Sequence, residues 1–385
     1  MNQVFSGRAS ADSEETVTAA LSRTAVARGW LADASTVGSA PSDTRLPIRF
    51  RVTGHPPETA SIVTDVLRPA FRILETLSAG AIQVVDTWGA KVHGDREGAA
   101  ALRGDLTDMA LCYSPWDPES FPMLQALCLP GMFPSAELGT FVAESLYADF
   151  FREDVERQGL RMGRLKVTGP YSLFSVRPIR NLGDLDGLRV GCSYGPETEI
   201  FTMLDAEPVS MSSLEIAAAL REGRVDAISI ADASAEVFQV HECARFRTAL
   251  DLTRLNMEFC LRKEFWTALP LNLQLLLSDW LRAEAQAECQ IFYGLGGARA
   301  RERFRAAGMT FIRLEDADRK QCLEALQPLT ERFIEMNGLA GRPGGLLVSR
   351  MRSMVDEYGH LSANQLMEMA LTRPLRRINR FKQEI

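Results

Sequence analysis

From residue 46 onward the chain switches between two hydrophobic periods. Residues 47–52 alternate apolar and polar side chains through Ile48, Phe50 and Val52, the period of a half-buried strand. His55 and the prolines Pro56 and Pro57 end that run. Ile62, Val66, Phe71 and Leu74 then recur at helical spacing within 58–77. A second strand is predicted at 81–85, a helix at 95–103 and a short apolar strand at 109–112. The theme repeats from 171: extended segments at 171–176, 188–190, 208–211 and 225–230, with helices at 197–204 and 214–222, the last stopped by Gly223. Strands alternating with helices predict an α/β fold with mostly parallel sheets, in two units.

The C-terminal third has a longer period. Residues 271–307 read as helix, with Leu273, Leu276, Leu277, Trp280 and Leu281 on one stripe. Gly294, Gly296 and Gly297 predict a kink or break in it. A strand at 309–314 and an amphipathic helix at 319–336 follow. Ser362 and Gln365 have the spacing of a capping box for a last helix ending near Pro374. A basic tail of Arg373, Arg376, Arg377, Arg380 and Lys382 comes next. Near the start, Ser13 is a candidate cap for a short helix over 15–28, and the Ser/Asp/Thr-rich stretch around Pro41 reads as linker.

Composition narrows the function classes. At 385 residues the chain is long for one core and comfortable for two. Its net charge of −7 argues against non-specific nucleic-acid binding. No apolar run approaches the roughly 18 residues of a membrane span. Seven cysteines include no Cys-x-x-Cys pair, so buried free thiols are expected. Residues 1–45 show no basic segment followed by an apolar one, as an export signal would. A truncated signal, a misplaced start and a cytoplasmic chain all remain open on that ground.

Motifs for chemistry are absent from the sequence. The four histidines, His55, His93, His241 and His360, form no His-Glu-x-x-His pair, so no metal is implied. There is neither a phosphate-binding Gly-x-x-x-x-Gly-Lys loop nor a Gly-x-Ser-x-Gly elbow. Gly294, Gly296 and Gly297 follow a helix rather than a strand, the wrong context for a dinucleotide loop. Asp226 and Asp232 could flank a cleft at strand ends. No enzyme activity and no cofactor are expected.

Several ordered blocks carry a family resemblance. Pro178-Ile179, followed by Asp184-Leu185-Asp186-Gly187-Leu188-Arg189-Val190, is similar to a signature of TRAP (tripartite ATP-independent periplasmic) transporter solute-binding proteins. Glu215 through Ala219-Leu220 to Gly223 and Val225-Asp226 resembles a second signature. Gly104 to Met109, Leu129 to Pro134, Phe265-Trp266 through Leu269-Pro270 to Gln274, and Ala306-Ala307-Gly308 resemble further family blocks. The resemblance spans roughly residues 46–336. It implies a two-lobed periplasmic-binding-protein-like (type II) fold, with two strands crossing between lobes near Tyr171 and Leu255 and one long lobe-spanning helix from Leu271. The implied layout is a flexible extension at 1–45, a first lobe at 46–168 plus about 255–285, and a second lobe at 169–254 plus about 309–350. A C-terminal helix and basic tail at 351–385 complete it.

The implied function is that of a periplasmic protein that closes on a small organic ligand and delivers it to TRAP permease subunits in the membrane. The ligand could be a monocarboxylate or a bulkier, more apolar compound. A cytoplasmic or signalling module on the same fold, or an enzyme, is the alternative. Members of the family grip a ligand carboxylate with an arginine at the end of the first signature. One register puts that position on Gly191, the other on Arg189, and a guanidinium there would offer two parallel hydrogen bonds. Further family positions fall on Tyr171, Ile230 and Ser213, each with less charge or bulk than the family residue. The candidate lining is Arg189, Tyr171, His55, Tyr113, Trp116, Cys192, Ser193, Tyr194, Ser213 and Ser229. The depleted arginine set implies a ligand larger and more apolar than a C4 dicarboxylate, with at most one carboxylate, held by Arg189.

Overall fold

The structure, a computed structural model, describes residues 14–36 and 47–372. In chain order the strands are β1 (Ile48–Thr53), β2 (Ile82–Thr87), β3 (Met109–Cys112), β4 (Leu160–Val167), β5 (Tyr171–Ser175) and β6 (Arg189–Cys192). They continue with β7 (Glu207–Ser210), β8 (Ala227–Ala231), β9 (Phe246–Ala249), β10 (Asn256–Arg262) and β11 (Thr310–Arg313). They form two sheets. The first runs β2-β1-β3-β10-β4 and the second β11-β9-β5-β8-β6-β7. In the first, β1 is parallel to β2 and β3, while β10 is antiparallel to β3 and β4. In the second, β6 is parallel to β7 and β8, while β5 is antiparallel to β8 and β9. Strands β3, β5 and β8 are buried along their whole length, as expected of strands with helices on both faces.

Two segments cross between the sheets. One is the short link from β4 to β5, the other the stretch from β9 to β10. They bond to each other: Thr168 N–H donates to the Leu255 carbonyl at 2.7 Å, and Leu255 N–H to Thr168 Oγ1 at 3.0 Å. The buried guanidinium of Arg254 donates to the carbonyls of Phe133 (3.1 Å), Pro134 (2.8 Å) and Thr168 (3.3 Å). One planar cation thus satisfies three irregular backbone carbonyls that neither sheet can reach.

The third connection is helical. Leu271–Glu288 runs on through Cys289–Gly296 to Gly297–Ala306. The three glycines do not break it, so of the kink or break expected from the sequence the break is absent. The middle stretch is wound as a π-helix, and the backbone stays right-handed helical at Cys289 and Gly297. A reason for glycine at 294 is space: a β-carbon there would sit 2.6 Å from an Arg23 guanidinium nitrogen. Leu273, Leu277, Trp280 and Leu281 fill the core of the first lobe, and Trp280 Nε1 donates to the Ala70 carbonyl at 2.8 Å. Ala300 and Phe304 fill a core of the second.

Two further expectations change. The helix Asp316–Ala325 packs in the second lobe, with Cys322 and Leu323 against Leu188 and Phe201. The chain then returns to the first lobe well before residue 350: Phe333, Leu347, Val348 and Met351 share a core with Phe141 and Leu146. Helical spacing in the sequence shows that a helix has an apolar face but not which lobe covers it. At the other end, residues 14–36 are not a loose extension. Helices Val17–Arg23 and Ala25–Thr36 bury Ala20, Ala27 and Leu31, and Arg23 reaches Glu137 at 2.5 Å. Thr16 caps the first of these helices, its Oγ1 accepting from Ala19 N–H at 3.3 Å. Ser13, the linker around Pro41 and the basic tail from Arg373 lie outside the described residues. The capping box is present, with Ser362 N–H donating to Gln365 Oε1 at 2.9 Å and Gln365 N–H to Ser362 Oγ at 3.3 Å. Among the described residues no helix is long and apolar enough to cross a membrane.

Arg254→Ala removes the donor shared by three buried carbonyls. We expect it to cost about 3 kcal/mol or more of unfolding free energy. A urea melt within about 1 kcal/mol of wild type would contradict that role.

Candidate ligand cleft

Parallel strands of an open sheet present their C-terminal ends together, and ligands bind there. In the first lobe those ends are followed by His55 after β1 and by the turn Ser114–Trp116 after β3. In the second they are Ser193, Tyr194 and Gly195 after β6, and the helix Asp232–Val237 with Phe238 after β8. The two sets meet. The His55 ring lies parallel to Phe238, centroids 6.1 Å apart. Trp116 is stacked on Tyr113 at 4.1 Å and set edge-on to Tyr194 at 6.0 Å. Ser212 Oγ donates to Asp95 Oδ2 at 2.6 Å, and the Arg96 guanidinium lies 4.3 Å over the Tyr194 ring. The lobes therefore touch across the cleft mouth, with aromatic faces from both sides behind it.

The polar groups of this interface are mostly uncharged or acidic. The Tyr113 hydroxyl lies 3.3 Å from Nε2 of buried His55. Burial pushes the His55 imidazole down to about 4, against the pull of Asp95. Trp116 Nε1 and Ser213 Oγ are shielded from solvent and have no hydrogen-bond partner. Glu197, fully buried in the first turn of helix Pro196–Met203, accepts from Ser193 N–H (3.2 Å), Ser193 Oγ and Ser229 Oγ (2.6 Å). Burial pushes its carboxyl up to about 7, and the serine hydrogen bonds only partly oppose this. Across the interface Glu258 on β10 accepts from Ser114 N–H (3.1 Å), Ser114 Oγ (2.9 Å) and Asn256, and burial again raises it to about 7. Burial also raises Tyr171 and the thiols of Cys128 and Cys192, and the Glu197 carboxylate adds to all three.

Of the ten predicted residues, His55, Tyr113, Trp116 and Tyr194 meet through their rings and Ser193 and Ser229 bond to Glu197; Arg189 stands apart from both groups. It sits at the opposite, N-terminal end of β6. Its Nε and Nη2 hold Asp226 at 3.0 and 2.8 Å, and Nη1 donates to the Arg224 carbonyl at 3.1 Å. The first lobe contains the same device. Arg51 on β1 holds Asp108, at the entry to the neighbouring parallel strand β3, through Nε and Nη2, both at 2.9 Å. In each case the aspartate N–H also donates back to the arginine carbonyl. Both pairs lock two parallel strands where their pairing begins, so Arg189 is a strand clamp. The other register fares no better, since a β-carbon at Gly191 would lie 2.5 Å from Ile228 Cδ1 and close to Met211. Apolar side chains fill the space that an arginine would need.

Sequence reasoning missed Glu197, Glu258, Phe238, Asp95 and Arg96. Phe238 ends the short helix that follows β8, and Arg96 lies in the loop before helix Gly98–Arg103, so neither adjoins a strand end that would flag it. Nothing in the sequence marks the two glutamates as buried.

Comparison with known proteins agrees with this architecture. Residues 58–337 match the family model of bacterial extracellular solute-binding protein, family 7, and the chain belongs to that family. Its fold is that of TRAP solute-binding proteins. One from Rhodoferax ferrireducens, in complex with copurified benzoate, superposes with a TM-score of 0.76 at 17% identity, covering 81% of this chain and 98% of that one. A marine metagenome protein specific for aromatic acid ligands, with 3-hydroxybenzoate, gives 0.75 at 20% identity over 82% and 99%. One from Bordetella bronchiseptica, with bound (R)- and (S)-mandelate, gives 0.71 at 18% identity over 81% and 99%.

Gly195 tests the closed contact. Its φ is +78°, and a β-carbon would lie 2.0 Å from the Pro115 carbonyl oxygen of the other lobe. Gly195→Ala should leave each lobe folded but hold them apart, weakening capture of copurified solute by about tenfold or more. Unchanged retention, measured by native mass spectrometry, would mean that this contact is not part of closure.

Proposed function

We propose that this solute-binding protein captures a small ring-bearing organic solute between its lobes and hands it, unaltered, to TRAP permease subunits in the membrane, working in the periplasm. The observation that carries the reading is the aromatic wall formed from both lobes by His55, Tyr113, Trp116, Tyr194 and Phe238. Stacked and edge-on faces suit a planar ring. The bound benzoate, 3-hydroxybenzoate and mandelate of proteins with this fold support the same ligand shape. Closure favours the ligand because only the closed form puts both walls on it. The ten residues of the sequence reading, less Arg189, are the lining of this site, and the lobes hinge at the β4–β5 and β9–β10 crossings.

Binding without turnover fits the side chains. The Cys128 and Cys192 thiols are held protonated by burial, and thiols in that form are poor nucleophiles.

Isothermal titration with single-ring compounds tests the reading. Trp116→Ala should weaken the best ring ligand by about tenfold or more, while Arg189→Ala should leave its affinity within about twofold. A loss confined to the Arg189 variant would reject the site as drawn.

A further inference from the structure

The cleft contains the wrong charge for an acid. Glu197 is fully buried at the lobe interface, hydrogen-bonded only to Ser193 and Ser229. Among the described residues no arginine or lysine forms an ion pair with it or displaces its titration. The cations nearest the interface are held elsewhere. Arg164 and Lys166 pair with Glu284 and Glu288, Arg254 holds backbone carbonyls, and Arg247 and Arg301 pair with Asp232. Arg96 stands at the exposed mouth, over Tyr194.

A ligand carboxylate that passed Arg96 at the mouth and reached Glu197 would meet a second carboxylate rather than a cation. Burying an unpaired charge beside like charges is strongly unfavourable. An ammonium group meets the reverse. It gains a buried carboxylate and the stacked rings of Trp116 and Tyr113, which attract cations through their quadrupoles.

Resting on the reading of the cleft as a ring-binding site, we propose that its ligand carries a cationic nitrogen, an ammonium or amidinium on an aromatic or similarly apolar body, with Glu197 as the counter-ion. The two serine hydroxyls orient the carboxylate and keep acceptor lone pairs for the ligand. The ring class would then be shared with the aromatic-acid binders of this fold and the charge reversed.

The site should titrate in a defined direction. Glu197 is pushed up to about 7 by burial, so it is charged above that pH and neutral below. The titratable groups that feel its charge are Tyr171, Cys192 and Cys128, all raised and uncharged through that range, while Glu258 of the first lobe is also pushed up to about 7 and gains its charge over the same range. Affinity for a cation should therefore fall as pH drops through about 7.

The test is titration calorimetry on the full chain with three compounds sharing one ring: benzyltrimethylammonium, benzyl alcohol and benzoate. The charge of the first does not titrate. We expect it to bind about ten- to a hundredfold tighter than benzoate at about pH 8, and to weaken on going to about pH 6. Glu197→Gln should erase its advantage over benzyl alcohol. The wild-type comparison needs no variant, so misfolding of the Glu197→Gln protein would not obscure the answer. Benzoate binding as tightly as the cation or tighter overturns the charge assignment and leaves the ring site standing. Binding of none of the three overturns the ring site and this proposal with it.

Discussion

One buried ion cluster fixes the long helix to the first lobe, and much else follows from it. Arg164 and Lys166 on β4 are fully buried and meet Glu284 and Glu288 on the helix, Arg164 Nε lying 2.5 Å from Glu284. Severing such a pair leaves an uncompensated charge in the interior, at a cost of about 3–5 kcal/mol. The far end of the same helix carries a second cluster. Arg301 and Arg247 share Asp232, at 3.0 and 2.8 Å, beside the C-terminal end of β8. The first lobe thus holds the middle of a single rod by charge and the second lobe its C-terminal part. Relative motion has to be absorbed between the two clusters, where the winding is π and the hydrogen-bond pattern is locally irregular.

The crossing segments complete the hinge. Arg254 ties the β9–β10 crossing to Phe133 and Pro134 of the first lobe and to Thr168 on the other crossing. Gly131 N–H also donates to the Leu252 carbonyl at 2.8 Å. The hinge is therefore anchored more firmly to the first lobe than its short connections alone would require. The aromatic groups of the cleft stand on strand ends that this frame positions, and the acidic groups lie just behind them.

The sequence displayed much of this and concealed a definable remainder. Alternation at Ile48, Phe50 and Val52 and the helical stripe Leu273–Leu277–Trp280–Leu281 depend on local periodicity, so they were legible. His55, Tyr113, Trp116 and Tyr194 were legible because each follows a strand whose end is marked by turn residues. Arg189 was misread because its partner, Asp226, lies 37 residues on and is reached only through sheet pairing. Glu197 reads as an ordinary acidic residue in a helical first turn. Only tertiary packing makes it a buried carboxylate. The return of Phe333 and Leu347 to the first lobe was invisible for the same reason.

The N-terminal helices have a consequence for the order in which the molecule can be made. Ala20 packs against Leu295 and Ala298, Arg23 pairs with Glu137, and Val26 N–H donates to Asn364 at 3.1 Å. These helices therefore find most of their partners far along the chain, Asn364 lying 338 residues beyond Val26. Contacts of such separation form late and slowly, after the loop they close has been ordered. During translation the surface these two helices dock on is incomplete until the segment bearing Asn364 has emerged, so their apolar faces remain available to other binding factors until then.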